Sequence, residues 1–290
     1  VACIGPARAQ SLAFGQEGKL RLTGGVDSID GAAGGGLTPW AVTASYATDN
    51  QVGATAHATR IHTQDYGMLT YGVAVGIRDR VEASLARQDF DTGRTGTALG
   101  LPGLHLKLDI IGAKVRVAGD AVLDSDNPMP QIAFGIESKR TDAGGLAPTL
   151  NALGARLTGT DFYVSATKLF LAQGILLNGT LRATKANQNG LLGFGGAAHD
   201  SYRLMPEVSV AWLLRRDLAL GVEYRAKPDN LNPSALGAGL KEDDWADLFI
   251  AWAPNKHVSL TAAVVDLGHI VPATAPRRQT GTYVSAQLGF

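Results

Sequence analysis

The chain has 290 residues, 45% of them hydrophobic and 18% charged, with 36 Gly, 12 Pro and a single Cys. Gly is enriched and charge depleted relative to an ordinary soluble domain, a balance that favours strands and tight loops over helices. The 26 Lys and Arg offset the 26 Asp and Glu, which argues against nucleic acid as a partner; one Cys excludes a disulfide framework or zinc cluster, and no run of about 18 apolar residues offers a transmembrane helix.

The segment Val1 to Ala9 reads as the remnant of a secretory signal, because Ala7-Arg8-Ala9 fits the small-x-small rule for cleavage before Gln10. A lipidated Cys3 is the alternative. Residues 10–290 then form one exported domain. Period-2 alternation predicts strands near 18–29, 40–47, 53–62, 66–77, 81–90, 104–117, 130–139, 160–170, 175–186, 203–214, 218–225, 244–253, 257–267 and 281–290. That makes about fourteen, with twelve or sixteen also compatible, and most have the roughly 10 residues that cross a bilayer at a tilt. Within 104–117 the apolar phase changes from Leu104, Leu106, Leu108 and Ile110 to Ile111, Ala113, Val115 and Val117, which predicts a β-bulge near Ile110.

Tight links at 78–80, 171–174, 215–217 and 254–257 alternate with longer polar or Gly-rich segments at 91–103, 140–158, 187–202, 228–243 and 268–280. The 118–129 link is the one overlong member of the short set. Short turns at one end and long loops at the other are the pattern of a closed, all-β antiparallel transmembrane barrel in the bacterial outer membrane. Trp212, Trp252 and Phe290 fall at predicted strand ends beside the tight turns, and Trp40, Tyr224 and Trp245 beside the long loops, as two interfacial aromatic girdles would require. The chain closes with Val284, Ala286, Leu288 and Phe290 on one face. An apolar final strand ending in Phe resembles the signal read by the barrel-assembly machinery, which is therefore an expected partner alongside outer-membrane lipid.

Five runs are similar to a known family: Gly31 to Trp40, Gly159 to Tyr163, Asn178 to Gln188, Glu223 to Leu231 and Ala251 to Ser259. They resemble an uncharacterised, porin-like family of exported Gram-negative proteins, classed as a domain of unknown function and read as outer-membrane barrels. The resemblance covers most of the chain. It implies fold and location and supplies no catalytic residues.

Chemical motifs are sparse. Gly193-Phe-Gly195-Gly196-Ala197-Ala198 has the G-x-G-x-x-A form but lies in a loop with no following helix, and Gly34-Gly35-Gly36 lacks the Lys and Ser/Thr of a P-loop. The six His show no metal-ligand spacing, His199-Asp200 points to opposite faces of an extended chain, and no G-x-S-x-G elbow occurs. No cofactor or metal is expected, and an outer-membrane hydrolase is the lesser alternative to a non-enzyme.

The polar face of the strands carries Glu82, Lys107, Asp109, Lys114, Arg116, Glu137, Lys139, Arg182, Glu207, Glu223 and Arg225. A charge facing lipid near the midplane costs a few kcal/mol, so these are expected to line the lumen. Symmetric closure of the 187–202 loop puts Arg182 opposite Glu207, and the tight turn at 215–217 puts Glu207 beside Arg225, giving an Arg-Glu-Arg rung. The leading expectation is a passive or weakly selective channel for small solutes. The alternative is a closed barrel with a structural or docking role.

Overall fold

The computed structural model describes residues 13–14, 19, 21–22, 26–48, 50–119, 129–235 and 237–290. The expected signal remnant at 1–9 lies outside them. Twelve wall strands of 8 to 14 residues follow in chain order: β1 (Gln51–Thr63), β2 (Gly67–Ile77), β3 (Val81–Asp91), β4 (His105–Ala118), β5 (Gln131–Asp142), β6 (Thr158–Phe170), β7 (Ile175–Thr184), β8 (Arg203–Arg215), β9 (Leu218–Arg225), β10 (Trp245–Trp252), β11 (Val258–Asp266) and β12 (Thr280–Gly289). Each pairs antiparallel with its successor, and β12 returns to β1 with Ser285 opposite Thr59. Mutual hydrogen bonds between Phe290 and Ala54, at 2.8 and 3.0 Å, extend the closing seam to the last residue.

Among the described residues the wall strands number twelve, the lower alternative to the expected fourteen. The expected strands at 18–29 and 40–47 supply no wall strand among their described residues. Residues 26–48 instead fold back on themselves inside the barrel, where nearly all are buried. Val26–Asp27 pairs with Ala33–Gly34 across a tight turn in which the Gly31 amide donates to the Ser28 carbonyl at 2.8 Å. Gly31 has φ +91°, and a Cβ there would sit 2.8 Å from the Ala86 Cβ, so both backbone angle and space require glycine. Alternation alone could not separate a strand in the wall from an extended segment packed against it.

The wall follows the alternation closely. On β8, Leu204, Pro206, Val208, Val210, Trp212 and Leu214 are exposed, whereas Glu207, Ser209 and Ala211 are buried. An apolar outward band around a polar interior is the inverse of a soluble barrel and suits a lipid surround.

β4 corrects the sequence in two ways. Its register with β3 and β5 runs unbroken through Ile110, and the irregularity lies between Arg116 and Ala118. Leu106, Leu108 and Ile110 face inward; His105, Lys107, Asp109 and Ile111 face outward. The strand does not slip. The apolar partner changes instead: near the long-loop end the inner face packs against capping loops, and lower down the outer face is the apolar one. Lys107 and Asp109 are therefore outside the barrel, not in its lumen. Asp109 pairs there with Arg87 at 2.5 Å, on a face that is polar because it stands above the apolar band.

Depth along the wall sets the cost of a charge. Val208→Arg, near the middle of the outward band, should lower unfolding free energy by about 2–4 kcal/mol, and Lys107→Gln should change it by less than about 1 kcal/mol. Denaturant titration in lipid vesicles measures both. Equal costs would place the band elsewhere.

Candidate functional site: the filled lumen

Many wall side chains inside the barrel bond to the backbone of segment 26–48. Glu82 accepts from the amides of Ala33 (3.1 Å) and Ala44 (2.7 Å), and Glu223 accepts from the Leu37 amide (2.8 Å) and the Thr38 hydroxyl (2.7 Å). Lys114 donates to the carbonyls of Ala33 and Trp40 at 2.8 and 3.2 Å. Thr167 accepts from the Ala41 amide, and Thr180 donates to the Pro39 carbonyl, each at 2.8 Å. This segment has little ladder of its own, so its buried polar groups find partners on the wall.

The Gly34-Gly35-Gly36 run is what allows the close approach. A Cβ on Gly35 would lie 1.9 Å from Glu223 Oε1, and one on Gly36 would lie 3.1 Å from the Tyr283 ring. At the turn end, Lys19 pairs with Asp79 at 2.7 Å, and Arg116 pairs with the same carboxylate at 2.7 Å.

At mid-height a second insertion descends from the loop end. Residues 187–192, between β7 and β8, are buried. Asn189 adopts φ 61°, within the left-handed region that Asn tolerates better than most residues. Its Nδ2 donates to Asp30 Oδ1 at 2.6 Å, and its Oδ1 accepts from Lys139 (3.0 Å) and Arg225 (2.7 Å). The two insertions therefore meet at Asp30 and Asn189.

Around that meeting point three cations face four carboxylates. Arg225 lies 2.8 Å from Asp30, Arg182 lies 2.6 Å from Glu137 and 2.5 Å from Glu207, and Lys139 lies 2.9 Å from Asp161. The Arg-Glu-Arg rung is present, with Glu207 3.5 Å from Arg225. Its register differs on one side: Glu207 is directly opposite Arg225, but across β7 it faces Thr180, while Arg182 faces Met205. The 187–202 loop does not close symmetrically, so Arg182 reaches Glu207 on the diagonal.

Of the residues expected to line the lumen, Glu82, Lys114, Arg116, Glu137, Arg182, Glu207, Glu223 and Arg225 are buried and turned inward. Of the aromatics, Trp212, Tyr224, Trp252 and Phe290 are exposed on the outer surface. Trp40 and Trp245 are not in a girdle. Trp40, 5% exposed, belongs to the inserted segment and donates to Ser209 Oγ at 3.0 Å. Trp245, 3% exposed, faces inward on β10 beneath the Lys227 ammonium, 4.5 Å from its ring centroid. Sequence reasoning missed Asp30 and Asn189, which lie in loop-like runs with no alternation. It also passed over Asp161, whose alternation with Tyr163, Ser165 and Thr167 was available as a signal.

A family model described as "Protein of unknown function (DUF3034)" matches residues 23–287. The chain belongs to this family. That agrees with the resemblance carried by the five runs. No curated protein matches the chain significantly. Among solved structures, a KdgM porin in complex with disordered oligogalacturonate is similar at TM-score 0.52 and 8% identity, over 81% of this chain and 99% of that one. A NanC porin is similar at TM-score 0.51 and 6% identity, over 81% and 98%. Outer membrane phospholipase A from Escherichia coli is less alike, with TM-score 0.45 and 10% identity over 81% and 92%. The first two are likenesses of fold: a closed antiparallel β-barrel.

Above the central cluster, Lys227 and Glu242 lie in the loop between β9 and β10 with 3.6 Å between Nζ and Oε2, and Glu242 also accepts from the Gln188 amide at 2.8 Å. Burial outweighs their mutual attraction, raising Glu242 from 4.5 to about 7 and lowering Lys227 from 10.5 to about 8. Between pH 4.5 and about 7 the folded chain holds a proton that the unfolded chain has released, so the loop loses stability as pH rises through that window. Lys227 acts in the opposite sense, adding stability as pH rises from about 8 to 10.5. The cap is therefore weakest near neutrality. Hydrogen-exchange protection of amides 188–192 should fall as pH rises from 4.5 to about 7, and Glu242→Gln should flatten that slope; an equal slope in both proteins would remove Glu242 as its source.

Proposed function

We propose that the chain is an outer-membrane barrel of a Gram-negative bacterium, with a porin-type wall held shut by its own segment 26–48. The observation that carries this is the contact of the two insertions at Asp30 and Asn189, with wall side chains bonded to the inserted backbone on several sides. Turns at 78–80, 171–174 and 216–217 then face the periplasm, and the long loops face outside. Outward exposure of Trp212, Val208, Ile250 and Val264 supports a lipid surround. Of the two roles expected from sequence, this geometry favours closure in the resting state over a standing passive pore. Solute passage requires segment 26–48 to leave its seat.

The Thr38 and Ser209 hydroxyl oxygens are 2.5 Å apart, so cysteines at those positions can tether the segment to the wall. In a Cys3→Ser background, the oxidised Thr38→Cys/Ser209→Cys protein should be silent in a planar bilayer, and removal of residues 26–48 should produce steady openings. Steady conductance by the oxidised protein would mean a path beside the segment and sink the closed state. An unconducting, correctly folded deletion would leave no pore beneath it and sink the channel.

We further propose that the final strand is the element read during assembly. Deleting Phe290 should reduce folded protein in the outer membrane, both by removing the apolar end and by breaking the seam to Ala54. Phe290→Tyr should be tolerated. Equal yield and heat-modifiable gel mobility for the deletion and the parent would count against this role.

A further inference from the structure

On the outer surface, a cleft of about 400 Å³ opens between the ends of β5 to β8 and is lined by Ser138, Arg156, Thr160, Lys185, Asp200 and Tyr202. Its height on the wall follows from the register. Ile136 is opposite Phe162, Phe162 opposite Ala183 and Ala183 opposite Leu204, which makes one continuous outward row. Ile136, Phe162 and Leu204 in that row are exposed. Ser138 and Thr160 face each other one outward step beyond it. Lys185 and Tyr202 continue the same step past the ends of β7 and β8. The cleft therefore sits at the upper edge of the apolar band, where hydrocarbon gives way to headgroups.

Its chemistry changes across that edge. Below, Tyr202 meets Phe162 edge-on with ring centroids 6.0 Å apart, and its hydroxyl donates to the Thr160 carbonyl at 3.0 Å. Above, Lys185 Nζ lies 5.1 Å from the Tyr202 ring centroid. Arg156 and Lys185 share a single carboxylate, with Asp200 3.0 Å from one and 3.2 Å from the other. Two cations on one anion leave a net positive charge. The Arg156 side chain is 70% exposed, and a guanidinium has more donors than this one contact uses.

We propose that this cleft binds the phosphate of a membrane lipid headgroup, with the lipid's acyl chains lying over Phe162, Ile136 and Leu204. Lys185 also donates to the Asp200 carbonyl at 2.7 Å, so phosphate takes the free donors of Arg156 and the one remaining donor of Lys185 as charge-assisted hydrogen bonds. The placement of cations directly above an apolar row selects an amphiphile over a soluble phosphate, because only the amphiphile meets both surfaces. The inference rests on the membrane-spanning reading but not on the state of the lumen.

The test uses the full chain in mixed vesicles of phosphatidylcholine and phosphatidylglycerol, extracted and weighed by native mass spectrometry. Phosphatidylglycerol should be retained several-fold above its share of the vesicle. Arg156→Gln/Lys185→Gln should abolish the enrichment, and Asp200→Asn should increase it, with heat-modifiable mobility unchanged because all three side chains are at the surface. Should the double variant fail to fold, the Asp200→Asn increase still decides the matter. Equal retention by the parent and the folded double variant would overturn the site. Saturable binding of inorganic phosphate without lipid enrichment would overturn the lipid assignment. Failure to insert into vesicles of phosphatidylcholine alone would instead overturn the membrane-spanning reading, and with it the lipid site that depends on it.

Discussion

Segment 26–48 has almost no regular structure, yet it is buried, and every amide and carbonyl it carries must find a partner away from bulk water. That requirement organises the interior. Glu82 and Glu223 accept from amides, Lys114 donates to carbonyls, and Thr167 and Thr180 fill remaining positions. Polar residues that alternation marks as lumen-lining are thus, in this structure, bonding partners of an inserted chain. A water-filled pore and a chain-filled one place the same demand on the wall, a polar inner face, and so leave the same trace in the strands.

This explains which parts of the sequence were legible. Alternation reports that a residue's two neighbours point the other way, and on β8, β9 and β12 that was enough to assign inside and outside. It does not report what each face touches. On β4 the apolar face is inner near the loops, in the buried core with Phe90 and Leu191, and outer near the turns, on the exposed wall. A change of partner looked like a change of phase. The same ambiguity misplaced Trp40 and Trp245: an aromatic at a strand end suits a headgroup girdle, but it equally suits a cap over a filled barrel. Asp30 and Asn189 were invisible for a different reason. Each is held by contacts more than 100 residues away in the chain, to Arg225 for the one and to Asp30 for the other.

The glycine run shows composition acting through geometry. Gly34, Gly35 and Gly36 carry ordinary backbone angles here, so their value is not conformational freedom. It is the missing Cβ, which would otherwise overlap Thr38, Glu223 or Tyr283. Small residues in the insertion let large polar residues in the wall reach its backbone. Part of the glycine enrichment read from the whole sequence is thereby assigned to close packing, and part to loop turns such as Gly193 and Gly195, which have positive φ.

The central charges bear on whether the insertion can leave. Breaking an isolated buried ion pair costs about 3–5 kcal/mol, because one charge is left without a partner. Here the wall alone holds three cations and three carboxylates: Arg182 keeps Glu137 and Glu207, and Lys139 keeps Asp161, whether or not Asp30 is present. Arg225 loses its 2.8 Å contact with Asp30 and its 3.0 Å bond to the Leu37 carbonyl but retains Glu207 at 3.5 Å and Asn189 at 2.7 Å. Withdrawal would remove the one carboxylate in excess and leave the wall balanced. The cluster therefore holds the insertion through Asp30 while keeping ion pairs of its own, and the stronger demand for segment 26–48 comes from Glu82, Glu223 and Lys114, whose bonds are to its backbone.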